Sequence, residues 1–465
     1  MVSLKDKIQN NPASFTVKEL LKATNGRLLQ GSFKGRVLGV STDTRTLRPG
    51  ELFVAIKGNN LNGHDFIAAA VRKSAGGLII SERRGFVFAK NLPVILVKDT
   101  TRAFGGIACF HRKRFDIPVI AITGSNGKTT VKEMTAAVLQ QRFIALKSEG
   151  TQNNHIGVPR TLLKLNAKHQ AAILEFGTNH PGEISYLASV ALPTAAIITN
   201  IGPSHLEFFK TLNGVLKEKK SLLKGLQGPR LAILNNDDPF LRQIRNRDLR
   251  VVTFGINQKS RFMAGDILRD EDRLSFLVNG RYKIGLNTPA RHSIYNALGA
   301  IACARSLGVD FNSIKKALAK FKFPDGRLQI RRFKGIKIID DTYNANPLSL
   351  KCAVDVLTGY NSHRKIAVCA DMKELGDKSN DLHLSLGKYI GQSSIDLLIT
   401  VGKLARYISA GAKKAGMQKD RVCHVNSIQQ AARRLARIIR PQDIVLVKGS
   451  RSMAMEKVIT GLGKG

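Results

Sequence analysis

Positions 123–130 read T-G-S-N-G-K-T-T, residue types that suit the binding of a nucleotide phosphate. Glycines let a backbone curl until its N–H groups face anionic oxygens, and the start of the following helix adds a favourable partial charge. Lys128 is placed to reach β- and γ-phosphates, and the Thr129 hydroxyl to hold Mg²⁺. The full nucleotide-loop pattern has a further glycine five residues before Gly127. Ile122 stands there, which leaves the shorter G-x-x-G-K-T.

Other polar residues follow in order. Glu175 closes the apolar run 171–174. A carboxylate at such a strand end is either a Mg²⁺ ligand or an acid capping a neighbouring helix. His205 follows the run 195–199 within S-H-L-E, and K-E-K-K at 217–220 reads by itself as a solvated charge run. Asn153 and Asn154, in Q-N-N-H, read by themselves as residues that shape a turn.

Positioning these groups requires strands whose ends meet. Residues 118–122 form a short buried apolar run before the glycine turn. Val131, Met134 and Val138 then recur at helical spacing. Strands are predicted at 171–174 and 195–199, so strands alternate with helices and a parallel sheet is expected. Before residue 116, the runs 36–40, 52–56, 77–80 and 93–97 alternate with turns and predict a small α/β unit. After 324 the alternation restarts, with strands predicted at 337–339, 365–369, 397–401, 422–425 and 444–447. A helix is predicted over 427–439, capped by Asn426 or Ser427. The expected fold is α/β with three domains: a small N-terminal domain (1–116), a central phosphate-loop domain with a parallel sheet (117–323), and a C-terminal doubly wound, Rossmann-like domain (324–465).

Composition narrows the class. Hydrophobic residues are 43% and charged residues 23% of 465, ordinary for a globular chain. No apolar stretch is long enough for a membrane span, and Met1–Lys7 lacks a signal-peptide core. The five cysteines are scattered, as reduced thiols in a cytoplasmic protein would be. Lys+Arg 74 against Asp+Glu 34 gives a net charge of +40, which raises nucleic-acid binding as a class. Without tryptophan, a basic aromatic stripe or a Cys/His finger, the chain is not expected to bind nucleic acid.

T-G-S-N-G-K-T-T after a buried strand resembles the ATP loop of the Mur ligases and of their relative folylpolyglutamate synthase. The resemblance runs over nearly the whole chain. It implies that Gly124, Ser125, Asn126, Gly127, Lys128, Thr129 and Thr130 bind ATP, and that catalysis centres on Lys128, Glu175, His205 and Lys219. Thr129, Glu175, His205 and Lys219 would hold metal, two Mg²⁺ in all, with Lys219 carbamylated. Asn296 in R-H-S-I-Y-N-A matches an adenine-contacting asparagine, although Ser293 stands where asparagine is usual. Arg327 matches a phosphate-binding arginine that arrives when the C-terminal domain closes, a task suited to its permanently charged fork. Asp341 and Tyr343 in D-D-T-Y-N-A-N-P would face the nucleotide. Thr44 and Arg45 would contact uridine diphosphate, and Asn153 and Asn154 the sugar diphosphate.

The element D-M-K-E-L-G at 371–376 resembles the branch of the family that adds D-alanyl-D-alanine to UDP-N-acetylmuramoyl-tripeptide, with Ala370 replacing a glycine. The D-N-P-R motif of the third-residue-adding branch is missing. The implied activity is ATP-dependent amide-bond formation through an acyl phosphate, by a cytoplasmic monomer.

Overall fold

The computed structural model describes residues 13–58, 60–83, 89–360 and 364–462. The Met1–Lys7 stretch read against a signal peptide lies outside them. Near the N-terminus the described residues form a five-stranded sheet in the order Arg27–Gln30, Val94–Leu96, Gly77–Ile80, Leu52–Val54, Val40–Ser41. The last four strands are parallel and the first antiparallel. The helix Thr100–Arg112 buries Ala103, Phe104, Ile107 and Ala108 in a cluster that runs from Phe15 to Ala121 and Leu174. It therefore serves the N-terminal and the central sheets at once.

Among the described residues the central sheet has nine strands. From one edge they are Tyr282–Leu286, Arg273–Val278, Phe262–Asp270, Arg250–Gly255, Leu231–Asn235, Ala195–Ile198, Val119–Thr123, Ala171–Glu175 and Ala145–Lys147. Ile120, Ile122, Ile173, Ile197 and Ile233 point to one face, Ala121, Leu174, Ile198 and Leu234 to the other. Both faces are covered, so these strands carry near-continuous apolar runs. The antiparallel strands 273–278 and 282–286 were not anticipated. They lie at the edge, and the neighbouring strand Phe262–Asp270 is largely exposed, so its sequence carries no continuous apolar run.

The register brings the chemistry together. Ile122 pairs with Glu175, and Thr123 with Ile198, so the phosphate loop, Glu175 and the 199–205 loop leave the same sheet edge side by side. The predicted helix is Lys128–Leu139, with Val131, Met134 and Val138 all buried.

Among the described residues the C-terminal sheet has six strands in the order Gln329–Phe333, Ile336–Asp341, Ile444–Lys448, Lys365–Ala370, Leu397–Val401, Val422–Val425. All are parallel except the first, and apolar clusters line both faces. The predicted last helix is Ile428–Ile438. Ser427, not Asn426, caps it, in a reciprocal box with Gln430. No helix among the described residues is long and apolar enough to cross a membrane.

Candidate active site

The turn after Val119–Thr123 depends on two glycines. A Cβ on Gly124 (φ +147°) would lie 1.8 Å from Thr199 Oγ1, and one on Gly127 (φ +81°) 2.4 Å from Asn296 Oδ1. The turn is tied down from the next strand: Ser125 N–H donates to Asn200 O (2.9 Å), Asn126 N–H to Asn200 Oδ1 (3.0 Å) and Thr199 Oγ1 to Asn126 O (2.6 Å). The first helical hydrogen bond runs from Val131 N–H to Gly127 O (2.8 Å), so the N–H groups of residues 128–130 precede it at the mouth of the turn. Lys128 folds back over the loop, its Nζ donating to Gly124 O (2.8 Å) and Ser125 O (3.3 Å). Burial, reinforced by Arg327 and opposed by Glu175, holds its pKa below the usual lysine range.

Glu175 is 1% exposed. Oε1 accepts from Asn153 Nδ2 (2.8 Å), and Oε2 is buried without a partner. An orphaned carboxylate oxygen beside a phosphate loop is an available metal donor, since leaving it unmet is costly. His205 adopts a left-handed backbone (φ +52°), and its Nδ1 meets Glu374 Oε2 at 2.5 Å, leaving Nε2 for a ligand. That hydrogen bond holds the Glu374 carboxyl below its usual range. Lys219, the charge-run residue singled out, is 1% exposed, and burial, with Lys128 adding to it, pushes its pKa well below the lysine range. Its neighbour Glu218 is buried too and accepts from Gly182 N–H (2.7 Å) and Ile184 N–H (2.8 Å). Among the described residues no three His, Cys, Asp or Glu side chains gather as a metal cage. The donors present are one carboxylate, one imidazole and the Thr129 hydroxyl. Such a set fits Mg²⁺, which keeps waters and takes substrate phosphate oxygens rather than an all-protein shell.

The C-terminal domain reaches onto this site. Arg327 lies over the Tyr343 ring (4.1 Å), and its Nη2 donates to Thr129 Oγ1 (2.9 Å). Asn346 Nδ2 donates to Asn126 Oδ1 (2.7 Å). Asp341 accepts from Leu328 N–H (3.2 Å) and from Lys448 Nζ (2.6 Å), its register partner on the next strand. Around these groups lies a cleft of about 1320 Å³. Ser125 to Thr130, Asn153, Asn154, Glu175, His205, Asn296, Arg327, Asp341 and Tyr343 all line it.

Thr44 and Arg45 do not line that cleft. They lie just after the N-terminal strand Val40–Ser41, where Arg45 is bonded to Asp43 (2.6 Å) and holds that carboxyl down at about 2. A neighbouring contact links the domains there, Arg160 Nη2 donating to Thr42 Oγ1 (3.1 Å). Asp371, also noted in the sequence, faces inward and accepts from Leu404 N–H and Ala405 N–H (2.9 and 2.8 Å). Sequence reasoning missed Lys448, Lys373, Arg451, Arg102 and Tyr186, all at the cleft. Lys448 directly follows the predicted strand 444–447 and ends the observed one, Ile444–Lys448, and that strand-end position was the available signal.

Three family models match in chain order: the "Mur ligase family, catalytic domain" over residues 36–112, the "Mur ligase middle domain" over 122–304, and the "Mur ligase, glutamate ligase domain" over 326–451. The chain belongs to the Mur ligase family. Among Mur ligases it is 38% identical over 458 residues to the UDP-N-acetylmuramoyl-tripeptide--D-alanyl-D-alanine ligase of Escherichia coli K12, covering 97% of this chain and 98% of that one. The solved MurF of Acinetobacter baumannii superposes with a TM-score of 0.90 at 31% identity, covering 97% of this chain and 99% of that one. The Thermotoga maritima MurF ligase, solved in complex with ADP, gives 0.82 at 28% identity, with 91% and 97% covered.

Proposed function

We propose that this Mur ligase joins D-alanyl-D-alanine to UDP-N-acetylmuramoyl-tripeptide at the expense of ATP, a cytoplasmic step of peptidoglycan precursor synthesis. One observation carries the catalytic reading: Arg327, from the C-terminal domain, donates to Thr129 of the phosphate loop, so two domains place cationic groups around one point beside Lys128. A γ-phosphate there would meet the loop N–H groups, Lys128 and the arginine fork. The near-full-length relationship to the dipeptide-adding enzymes supports the choice of substrates.

The tripeptide's terminal carboxylate attacks the γ-phosphorus, the bond to the β–γ bridging oxygen breaks, and an acyl phosphate and ADP result. The dipeptide amine then attacks the acyl carbon, loses a proton, and inorganic phosphate leaves. Transfer of this kind is mostly positioning and charge stabilisation. Lys128 and Arg327 spread positive charge over the transferring oxygens. Asn296, packed on Gly127, and Tyr343, under Arg327, border the nucleotide side, with Asp341 fixed there by Lys448. Asn153 and Asn154 would contact the acceptor's sugar diphosphate, and Thr44 and Arg45 its uridine diphosphate on the N-terminal domain. Glu175, His205 and the Thr129 hydroxyl would hold Mg²⁺, which when bound neutralises phosphate charge. Lys219 suits carbamylation: its amine is held toward the neutral form, which adds CO₂ with loss of a proton and becomes an anionic oxygen donor. Domain limits at 116/117 and 323/324 divide these tasks, and closure excludes water from the acyl phosphate.

The test is phosphate release from ATP with UDP-N-acetylmuramoyl-tripeptide and either D-Ala-D-Ala or single amino acids, with product mass as readout. Turnover with the dipeptide, lost in Lys128→Ala, is expected. Turnover only with a single amino acid on a shorter UDP-peptide overturns the substrate assignment.

A further inference from the structure

We infer that Lys132 is a positioning residue for the acceptor substrate: from inside the phosphate-loop helix its ammonium fixes the 148–154 loop that presents Asn153 to Glu175 and the cleft. This role rests on the proposed function, in which that loop serves the UDP-linked acceptor.

Lys132 is fully buried, 0% exposed, one helical turn beyond Lys128. It does not extend to solvent, as lysines ordinarily do. An ammonium has three N–H donors, and three oxygens meet it: Ser148 O (2.8 Å), Gly150 O (2.7 Å) and Glu133 Oε1 (2.8 Å). Glu133 is shared with Lys147 (2.5 Å), on the strand that leads into the loop. Two of the three acceptors are thus backbone carbonyls of the loop, which a buried cation draws inward.

The next residues of the loop touch the site. Asn153 O accepts from Gly177 N–H (2.8 Å), and Asn153 Nδ2 donates to Glu175 Oε1 (2.8 Å). A Cβ on Gly177 would lie 2.7 Å from the Asn153 side chain, so the fit there is tight. Asn154 Oδ1 accepts from Ile156 and Gly157 N–H (3.1 and 2.9 Å) at the start of the next helix. Thr151, Asn153, Asn154 and His155 face the cleft. Lys132 sets where this ledge stands relative to the phosphate loop, because one helix carries both lysines. Its loss leaves two loop carbonyls unpaired and releases the ledge, while the loop N–H groups that meet nucleotide stay in place.

The experiment compares Lys132→Met with Gly150→Val in the full chain. Gly150 is exposed, has φ +50° and has open space around a Cβ, so valine there disturbs the same anchor through backbone strain without touching the core. Expected for each folded variant is an acceptor KM raised about tenfold or more, with ADP affinity by calorimetry within about twofold of wild type. Amide exchange of the 148–156 segment, slowed by acceptor in wild type, loses that protection. A folded variant that keeps the wild-type acceptor KM overturns the inference, as does one that loses ADP affinity in parallel, which marks general structural damage. If Lys132→Met does not fold, Gly150→Val decides. Failure of the wild-type chain to bind or use UDP-N-acetylmuramoyl-tripeptide would instead overturn the proposed function, before either variant is compared.

Discussion

Single residues at this site are constrained from more than one side. Gly124 is held because a Cβ would strike Thr199 Oγ1 at 1.8 Å, and Thr199 is itself needed to hold Asn126 O. Gly124→Ala must therefore shift the turn. Its ADP affinity, by calorimetry, is expected to fall by about tenfold or more with the global fold retained. The pattern G-x-x-G-K-T already identified these residues. Burial of Lys219 was not legible, since K-E-K-K reads as surface. The helix Leu212–Lys224 turns Glu218 and Lys219 inward while Lys217 and Lys220 stay outside the core.

At the scale of elements, caps and buried histidines make separable contributions. Ser427→Ala removes a capping box far from the cleft. It is expected to lower C-terminal stability by about 1 kcal/mol in denaturant melts and leave turnover unchanged. The helix Thr100–Arg112 carries His111, 1% exposed, whose Nε2–H donates to Leu165 O (3.0 Å) and whose Nδ1 is buried without a partner. Burial lowers its pKa from 6.5 to about 4. The unfolded chain therefore binds the proton first, so stability present above pH 6.5 is lost as pH falls toward 4. Melts at about pH 7 and about pH 4.5 should show a steeper loss for wild type than for His111→Gln, which keeps a donor and cannot titrate. Other buried histidines shift the same way, so the difference between the two proteins is the measurement.

For the whole molecule, hydrogen bonds from the C-terminal domain reach the nucleotide side of the central one: Arg327 to Thr129, Asn346 to Asn126, and Glu374 with His205. Arg327→Lys keeps the charge but not the fork or the flat face over Tyr343. The expected result is a kcat roughly a hundredfold lower with ADP affinity nearly unchanged. Loss of ADP affinity with unchanged kcat would place the arginine in ground-state binding instead. A second contact between these domains lies at the hairpin formed by Phe262–Asp270 and Arg273–Val278, where Asp272 in the turn accepts from Lys337 Nζ (3.0 Å) and Tyr360 OH (2.7 Å). The hairpin that periodicity missed thus braces the domain that closes.

The sequence alone determined the phosphate loop, several of the apolar parallel strands and the order of the three units, because each is written in short-range chemistry: glycine at a forced turn, apolar runs buried on both faces, and alternating helical spacing; the parallel strands Leu231–Asn235 and Arg250–Gly255 went unread. Glu175 and His205 were legible for the same reason, as polar residues at the ends of such strands. Only the tertiary structure decided which of several nearby polar groups face the cleft. Lys132 is buried under carbonyls of a loop 16 and 18 residues on, Lys219 is 1% exposed within a run of charges, Asp371 turns into its own domain, and Glu374 finds His205 across 169 positions. Burial of a charge depends on partners brought together by packing, and no local pattern records those partners.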